Sequence, residues 1–205
     1  VALYACKKVI ELGGTVISMS NSKGFIYEEK GIDFETMRNI GENHLPITEY
    51  LNYSKTAKYI EDPKKMFGYT KCDICLPCAT QNEIDVAEAK KLVEAGCYGV
   101  FEGANMPCSN EAVEYLLSNN ILYSPGKASN AGGVALSGVE MSQNAMHDKF
   151  SFEEVDAKLQ KIMKGIYDDC KNAALKAGVP GNMQAGANIA GFNKVADAMI
   201  AEGIV

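Results

Sequence analysis

The chain has 205 residues and a formal net charge of −6 at pH 7. It contains no run of lysine or arginine residues, which argues against a nucleic-acid partner or an anionic membrane surface. No apolar stretch approaches the roughly 20 residues of a membrane-spanning helix, and we expect no signal peptide. Composition therefore indicates a globular protein without nucleic-acid or membrane partners.

The seven cysteines are scattered among apolar residues. An odd number in a chain without secretory features indicates reduced thiols in a cytoplasmic protein rather than a disulfide framework. The spacing of Cys72, Cys75 and Cys78 is that of an iron–sulfur run, but no fourth cysteine follows, and thiols three apart on a strand point to alternate faces. Neither His44 nor His147 has a partner at metal-ligand spacing, so no metal site is predicted.

An alternation of helices and apolar strands starts at the first residue. Apolar residues recur at helical spacing over residues 1–12, Gly13 and Gly14 end this helix, and residues 15–20 read as a buried strand. A helix followed by a strand is the second half of a βαβ unit. We therefore expect a first strand and a glycine-rich, phosphate-binding turn to lie before Val1.

The turn after this strand is a candidate cofactor contact. A dinucleotide-binding fold usually has an acidic residue here for the adenine ribose, but this chain has Asn21, Ser22 and Lys23. A carboxylate would repel a 2′-phosphate, whereas these side chains can donate hydrogen bonds to one, so the turn favours NADP over NAD. A plain polar turn leading into a small ribbon at residues 25–32 explains the same residues nearly as well.

The middle of the chain continues the alternation. A short helix is predicted at residues 33–40, and residues 46–67 are a polar insertion in which we predict no chemistry. Further elements follow in order: a strand at residues 72–78, a helix started by a capping box of Asp85 and Glu88, a strand at 98–101, a helix at 109–117 and a strand at 121–123. Loops at 79–83 and 102–107 follow the carboxyl ends of strands, where open α/β sheets hold ligands.

The strand at residues 121–123 leads through a glycine-bearing turn into another helix. Asn130 is placed to cap this helix with its side-chain oxygen, and Gly132 and Gly133 lack the β-carbons that would keep a ligand from the backbone. The free amides of such a helix start favour negative charge. A simple helix cap explains the same spacing.

Two helices complete the chain. A capping box of Ser151 and Glu154 starts a long helix that ends at Gly178. A last helix is predicted at residues 188–202, and one stripe of it is predicted to be buried. That stripe consists of Ile189, Phe192, Val195 and Met199.

Four strings resemble segments of the glutamate dehydrogenases: Leu76-Pro-Cys-Ala-Thr-Gln-Asn-Glu83, Glu102-Gly-Ala-Asn-Met-Pro107, Lys127-Ala-Ser-Asn-Ala-Gly-Gly-Val-Ala-Leu-Ser-Gly-Val-Glu-Met-Ser-Gln-Asn144 and Gly186-Ala-Asn-Ile-Ala-Gly-Phe192. They occur in the family's order, and the resemblance covers almost the whole chain. It implies an α/β fold with a Rossmann-like doubly wound sheet that lacks its first strand and glycine-rich loop, plus C-terminal helices. Residues 1–146 would be a partial dinucleotide-binding domain, and residues 147–205 a helical segment that braces an absent substrate domain.

The resemblance also implies a function. Enzymes of this family interconvert L-glutamate with 2-oxoglutarate and ammonia, by hydride transfer between the substrate and the nicotinamide of NADP or NAD. The catalytic lysines and aspartate would belong to the missing N-terminal domain, so no residue of this chain is predicted to be catalytic. We expect the chain alone to be inactive and the whole enzyme to be a homo-oligomer, a hexamer as in the family.

Binding residues carry over position by position. Asn130 matches the position near the nicotinamide amide, Ser137 the residue that bonds the substrate's γ-carboxylate, and Val134 a contact of its aliphatic part. Further positions match the lining of the cofactor cleft: Ala79, Thr80, Gly103, Ala104 and Asn105. A serine inside a helix often bonds back to its own helix, which would explain Ser137 without a ligand.

Two other functions stay open. Dehydrogenases for apolar amino acids share the fold and the glycine motifs, although Ser137 and the string ending at Glu83 favour glutamate. A truncated module that binds a dinucleotide without catalysis is the second alternative. For the cofactor, NAD remains the alternative to NADP, because the basic residues expected near the end of the helix at 33–40 in NADP-linked members are missing.

Overall fold

The amino-terminal helix and the strand after it form where the apolar pattern predicts them. In the computed structural model, which describes residues 1–203, helix α1 spans Ala2–Glu11 and Gly13 follows it with a φ of 84°. This positive φ costs glycine nothing but strains other residues, so Gly13 is a suitable helix terminator. Strand β1, Ser18–Ser20, is shorter than the predicted strand at 15–20.

Strand β1 belongs to a three-stranded antiparallel sheet. It pairs with β2, Gly24–Tyr27, and β2 pairs in turn with β3, Lys58–Glu61. Gly24 is needed for the close approach of β2 and β3, because an added Cβ would lie 2.3 Å from the carbonyl oxygen of Ile60. The segment predicted as a polar insertion thus supplies the third strand of the sheet.

Short helices surround this sheet. Helix α2 spans Phe34–Glu42, and its N-cap Asp33 accepts a hydrogen bond from the backbone amide of Thr36 at 2.8 Å. Two 3₁₀ helices flank β3, at Ile47–Asn52 and Pro63–Met66. The buried core joins α1, β2, α2 and the first 3₁₀ helix, and its main members are Cys6, Ile26, Ile32, Met37, Ile40 and Tyr50.

A parallel pair of strands follows. Strand β4, Ile74–Cys75, pairs with β5, Gly99–Phe101, and belongs to a different sheet from β1. Helix α3, Val86–Glu94, begins with the predicted capping box, and α4 spans Asn110–Ser118. The predicted α/β class is confirmed, since strands alternate with helices and the strands of this pair are parallel.

The chain divides into two compact units, one that ends at Ile121 and one that begins at Leu122. The boundary predicted after residue 146 is of a different kind, because it separates a cofactor-binding part from a helical part that braces another domain. It stays a prediction. The second unit contains β6, Leu122–Ser124, and four helices among its described residues. These helices are α5, Gly126–Ser129, α6, Ala131–Met146, α7, Phe152–Lys176, and α8, Met183–Glu202.

The predicted burial of the stripe on the last helix is wrong for three of its four residues, while Ile189 is half-buried. Phe192 is 70% exposed, Val195 60% and Met199 59%. Helix α8 also begins at Met183, earlier than predicted, because Asn182 caps it by accepting a hydrogen bond from the amide of Ala185 at 2.9 Å. The helix packs against α7 near its beginning, and the described part of this unit leaves the later turns of the stripe uncovered.

The buried carboxylate of Glu28 connects the sheet to the segment that follows the first 3₁₀ helix. Glu28, which follows β2, is 3% exposed and accepts hydrogen bonds from the hydroxyls of Ser54 and Thr56. The bond from Ser54, and to a smaller degree the bonds from Thr56, hold the pKa of Glu28 below its ordinary value although burial opposes this. The carboxylate is therefore the form that the fold stabilises.

Replacing Thr56 by valine removes a donor to this charged group, so we expect the free energy of unfolding to fall by about 1 kcal/mol at neutral pH. Because the folded-state pKa of Glu28 is lowered, this contribution is complete above the ordinary glutamate pKa and is lost as the pH falls below it. Denaturant unfolding of Thr56→Val and of the unsubstituted protein at several pH values measures the difference. The same substitution in a Glu28→Gln background should show no such pH dependence, and a persistent dependence would contradict the assignment.

The crossing of α7 and α8 depends on Gly186. A Cβ added there would lie 2.1 Å from the carbonyl oxygen of Cys170. We expect Gly186→Ala to destabilise the protein by about 1–3 kcal/mol, since backbone cannot yield as a flexible side chain can. Gly165→Ala in α7 is the control, because an added Cβ there meets nothing within 4 Å. A thermal midpoint for Gly186→Ala equal to that of the control would refute the close crossing.

Candidate functional site

The polar turn after β1 is held by its own side chain. Asn21 Oδ1 accepts hydrogen bonds from the backbone amides of Lys23, at 2.9 Å, and Gly24, at 3.2 Å. An asparagine oxygen used in this way shapes the turn and leaves the side-chain NH₂ group as a donor. Asn21 and Ser22 are both exposed, so this turn presents donors rather than acidic acceptors.

Two loops meet at a cavity of about 300 Å³. Asn21 and Ser22 line it from the turn after β1, and Ala79 and Thr80 line it from the loop after β4. The other lining residues are Ser20, Pro63, Lys64, Phe67, Asn82 and Glu83. The structure thus brings together four of the predicted cofactor-binding residues from two distant parts of the sequence. The volume of the cavity is at the lower end of the range that is typical of small-molecule sites.

Glu83 is an acidic residue that also lines this cavity. Burial raises the pKa of its carboxyl group, and hydrogen bonding to the backbone amides of Ala79 and Thr80 opposes this rise only in part. Its Oε2 atom is buried and has no hydrogen-bond partner within the described residues. A buried polar atom without a partner is unfavourable, so this position is suited to a hydroxyl or amide donor from a ligand.

A second cavity, of about 1060 Å³, adjoins the first. Residues 13–20, which include β1, line one part of it, and residues 70–79, which include β4, line another. Ser20, Phe67, Ala79 and Glu83 line both cavities. The larger cavity therefore lies between two strands that belong to different sheets.

The loops at 79–83 and 102–107 are fastened to each other. The amides of Gly103 and Ala104 both donate to the carbonyl of Pro77, at 2.9 and 3.0 Å, and the amide of Asn82 donates to the carbonyl of Met106 at 3.0 Å. Gly103 lies close to Cys78, and an added Cβ would lie 2.5 Å from its sulfur, so a larger residue would require the Cys78 side chain to shift.

Three predicted cofactor residues lie in the second of these loops. In the described part of the chain, Gly103, Ala104 and Asn105 line neither cavity. Gly103 and Ala104 instead support the loop that carries Ala79 and Thr80 through their shared bond to Pro77. Their predicted contact with a cofactor stays a prediction.

The cysteine run lies beside the larger cavity. Cys72, Cys75 and Cys78 are half-buried, and all seven cysteines are free thiols. Burial raises the pKa of Cys75 and of Cys78, which favours their protonated forms. Among residues 1–203, no three histidine, cysteine, aspartate or glutamate side chains are grouped so as to hold a metal ion. Each helix in that range is also too short or too polar to cross a membrane.

In the second unit, Asn130 lies at the junction of α5 and α6. The prediction that its side-chain oxygen caps α6 is wrong, since α6 has no side-chain cap bond. Helix α5 precedes directly, so Asn130 has φ −97° and ψ 0° and donates its backbone amide to Gly126 at 2.9 Å. A capping residue needs an extended backbone, which this continuous helical path does not provide.

Val134 and Ser137 lie three residues apart on α6 and so share one face of the helix. Val134 is 75% exposed, and Ser137 is also exposed. The Ser137 hydroxyl donates a hydrogen bond to the carbonyl of Gly133 at 3.3 Å. This is the bond to its own helix that was the alternative explanation for Ser137. A carboxylate ligand would have to replace this long bond, because a serine hydroxyl has one hydrogen to donate.

Sequence reasoning missed Lys64, which lies in the segment predicted to carry no chemistry. Its Nζ atom lies 3.4 Å from Glu88 Oε2 and 3.7 Å from Asp85 Oδ2. The sequence did contain a local signal for a helix start at this point, an aspartate followed by a proline. In the structure Asp62 accepts a hydrogen bond from the amide of Lys64, and Pro63 lies in the first turn of the 3₁₀ helix. That signal predicts a helical turn, but not that the turn lies beside Asn21.

Comparison with known proteins gives a consistent result. The family model for glutamate/leucine/phenylalanine/valine dehydrogenases matches residues 1–203. The chain is 49% identical over 208 residues to a glutamate dehydrogenase of Bacteroides thetaiotaomicron, and 46% identical over 210 residues to an NADP-specific glutamate dehydrogenase of Helicobacter pylori. All of this chain is covered, but only 46% and 47% of those proteins, so the chain spans about half the length of the curated relatives it matches.

A solved structure agrees in fold. The crystal structure of Plasmodium falciparum glutamate dehydrogenase superposes with a TM-score of 0.93 at 44% sequence identity, covering 100% of this chain and 44% of that one. A match of this quality over every element described above confirms the α/β fold that the sequence strings implied. The chain belongs to the glutamate/leucine/phenylalanine/valine dehydrogenase family.

Proposed function

We propose that the chain is the cofactor-binding and C-terminal part of an enzyme that interconverts L-glutamate with 2-oxoglutarate and ammonia. NADP is the proposed cofactor, with NAD as the alternative. The observation that carries the proposal is the cavity at which Asn21, Ser22, Ala79 and Thr80 meet. The relatives support the reaction, since those from B. thetaiotaomicron and H. pylori are glutamate dehydrogenases and the second is NADP-specific.

The smaller cavity fits the adenosine end of a dinucleotide. Its polar rim offers the Asn21 amide and the hydroxyls of Ser22 and Thr80, while Glu83 Oε2 lacks a donor that a ribose hydroxyl would supply. The acidic residue that would repel a 2′-phosphate is absent from the turn after β1. These features support NADP as the cofactor, because the turn after β1 holds no negative charge that would repel its 2′-phosphate.

The larger cavity is assigned to the first strand and glycine-rich turn of the nucleotide-binding fold, supplied by the rest of the enzyme. In a doubly wound sheet this strand lies between the second and the fourth, and here β1 and the segment containing β4 border the cavity on both sides. One strand inserted there would pair with β1 on one side and with β4 on the other, and would join them into a continuous sheet. The phosphate-binding turn would then lie near Ser20 and Ala79, which line both cavities.

The second unit is proposed to contact the substrate. Ser137 would donate to the γ-carboxylate of glutamate, Val134 would contact its aliphatic part, and Asn130 would lie near the nicotinamide amide. When bound, the nicotinamide supplies the site that accepts or donates hydride. The residues of this chain bind and orient, and the proton-transfer groups are assigned to the N-terminal domain.

The remaining part of the enzyme also explains an exposed surface. The stripe of Phe192, Val195 and Met199 on α8 is apolar and exposed. An N-terminal substrate domain braced by residues 147–205 would cover such a stripe, and the half-length match to the relatives supports its existence. The whole enzyme is proposed to be a homo-hexamer. The free cysteines support a reducing, cytoplasmic location.

Turnover of different amino acids by the protein that carries this chain tests the reaction. We expect kcat/KM for L-glutamate to exceed that for L-leucine by about 100-fold or more. The reason is that an apolar side chain cannot bond the polar groups of a site that binds a carboxylate, so these groups would stay unpaired. A preference for leucine would instead establish the alternative, a dehydrogenase for apolar amino acids. The isolated 205-residue chain should show no turnover, and activity of a clean preparation would contradict the division of roles.

Substitution of Ser137 by alanine tests the substrate contact. We expect KM for glutamate to rise about 10-fold or more, since a hydrogen bond to a charged group is lost, while KM for the cofactor changes little. Ser142→Ala is the matched control, because the Ser142 hydroxyl bonds back to the carbonyl of Gly138 at 3.0 Å on the same helix. An unchanged glutamate KM in Ser137→Ala would show that this hydroxyl only bonds its own helix.

A further inference from the structure

We infer that Lys64 recognises the 2′-phosphate of the cofactor and thereby selects NADP over NAD. This inference rests on the proposed cofactor site and adds a specificity residue to it. Lys64 lines the 300 Å³ cavity together with Asn21 and Ser22. It is the one basic side chain among the described residues that line this cavity.

A 2′-phosphate needs a positive charge that the turn after β1 does not supply at the cavity. A phosphate monoester carries close to two negative charges at neutral pH, whereas Asn21 and Ser22 offer only neutral donors. Lys23, the basic residue of this turn, is exposed and is not among the described residues that line the cavity. The last turn of α2 contains no basic residue. Arg38, earlier in α2, lies 2.5 Å from Glu35 and is not among the described lining residues. Lys64 comes from another element and fills this role.

The backbone places Lys64 beside the turn. Strands β2 and β3 pair so that Gly24 lies opposite Glu61, and the amide of Asp62 donates to the carbonyl of Lys23 at 3.1 Å. The Asp62 side chain then caps the second 3₁₀ helix by accepting from the amide of Lys64 at 3.0 Å. The start of the Lys64 side chain is therefore fixed, while the side chain itself is 53% exposed.

The present partners of Lys64 can release it. Its ion pair with Asp85, at 3.7 Å, joins two half-exposed side chains and contributes little, whereas Glu88, at 3.4 Å, is a buried carboxylate with a side chain only 5% exposed. Both carboxylates have other partners: Asp85 accepts from the amides of Ala87 and Glu88, and Glu88 accepts from the amide of Asp85. Lys91 also lies 3.7 Å from Glu88. If Nζ moved to a phosphate, Asp85 and Glu88 would each keep at least one other hydrogen-bond or ion-pair partner.

The chemistry of selection follows from charge. The phosphate oxygens of NADP would accept charge-assisted hydrogen bonds from Nζ, which are stronger than bonds between neutral groups. The ribose hydroxyl of NAD has no charge to neutralise and gains little from a lysine. Lys64 therefore contributes to the affinity for one cofactor and hardly to the other.

The test measures dissociation constants of NADPH and NADH, by their fluorescence, for the protein that carries this chain. We expect Lys64→Gln to weaken NADPH binding about 10-fold or more and NADH binding less than about twofold. The dependence of NADPH affinity on salt should also decrease, because one ion contact is lost. Lys64→Arg, which keeps the charge, should retain most of the preference. The control is Lys65→Gln, an exposed lysine of the same 3₁₀ helix that does not line the cavity.

The outcomes separate this inference from the proposed function. If the unsubstituted protein binds neither cofactor and does not oxidise glutamate, the proposed function is overturned. If it binds NADPH and Lys64→Gln weakens both cofactors equally or neither, the role of Lys64 is overturned while the function stands. A preference of the unsubstituted protein for NADH would also overturn the role of Lys64. Thermal unfolding of each variant shows whether a loss of binding comes from a loss of fold.

Discussion

The pairing of β2 with β3 is the constraint on which the proposed cofactor site depends. Gly24 allows the two strands to approach closely, since an added Cβ would lie 2.3 Å from the Ile60 carbonyl oxygen. Through this pairing the chain after β3 returns to the turn after β1, where the Asp62 amide bonds the Lys23 carbonyl at 3.1 Å. Without it, the segment containing Lys64 would have no fixed position relative to Asn21.

The opposite wall of the smaller cavity is held by different hydrogen bonds. The loop after β4 is held by the loop after β5, through the bonds of Gly103 and Ala104 to Pro77. Residues that resemble cofactor contacts in the sequence therefore serve in this unit to position other residues. The two walls come from separate sheets, and the larger cavity lies between those sheets. In the proposed enzyme, a strand inserted there would join the two walls of the proposed cofactor site.

Local rules predicted the elements well. The capping boxes at Asp85 and Ser151 start helices as expected, because each requires only residues three positions apart. The same kind of reasoning failed for Asn130, because a second short helix changes the backbone on which capping depends. It also failed for the stripe on α8, since apolar periodicity marks one face of a helix but does not say what packs against that face.

The sequence by itself determined the family, the α/β class and four residues of the smaller cavity, because short strings and local periodicity are properties of neighbouring residues. Only the tertiary structure decided that Lys64 lies at that cavity and that Gly103 supports a loop beside Cys78. These placements depend on strand pairing and on contacts between distant segments. A local pattern carries no information about them, because the same turn or glycine can pack against any part of a fold.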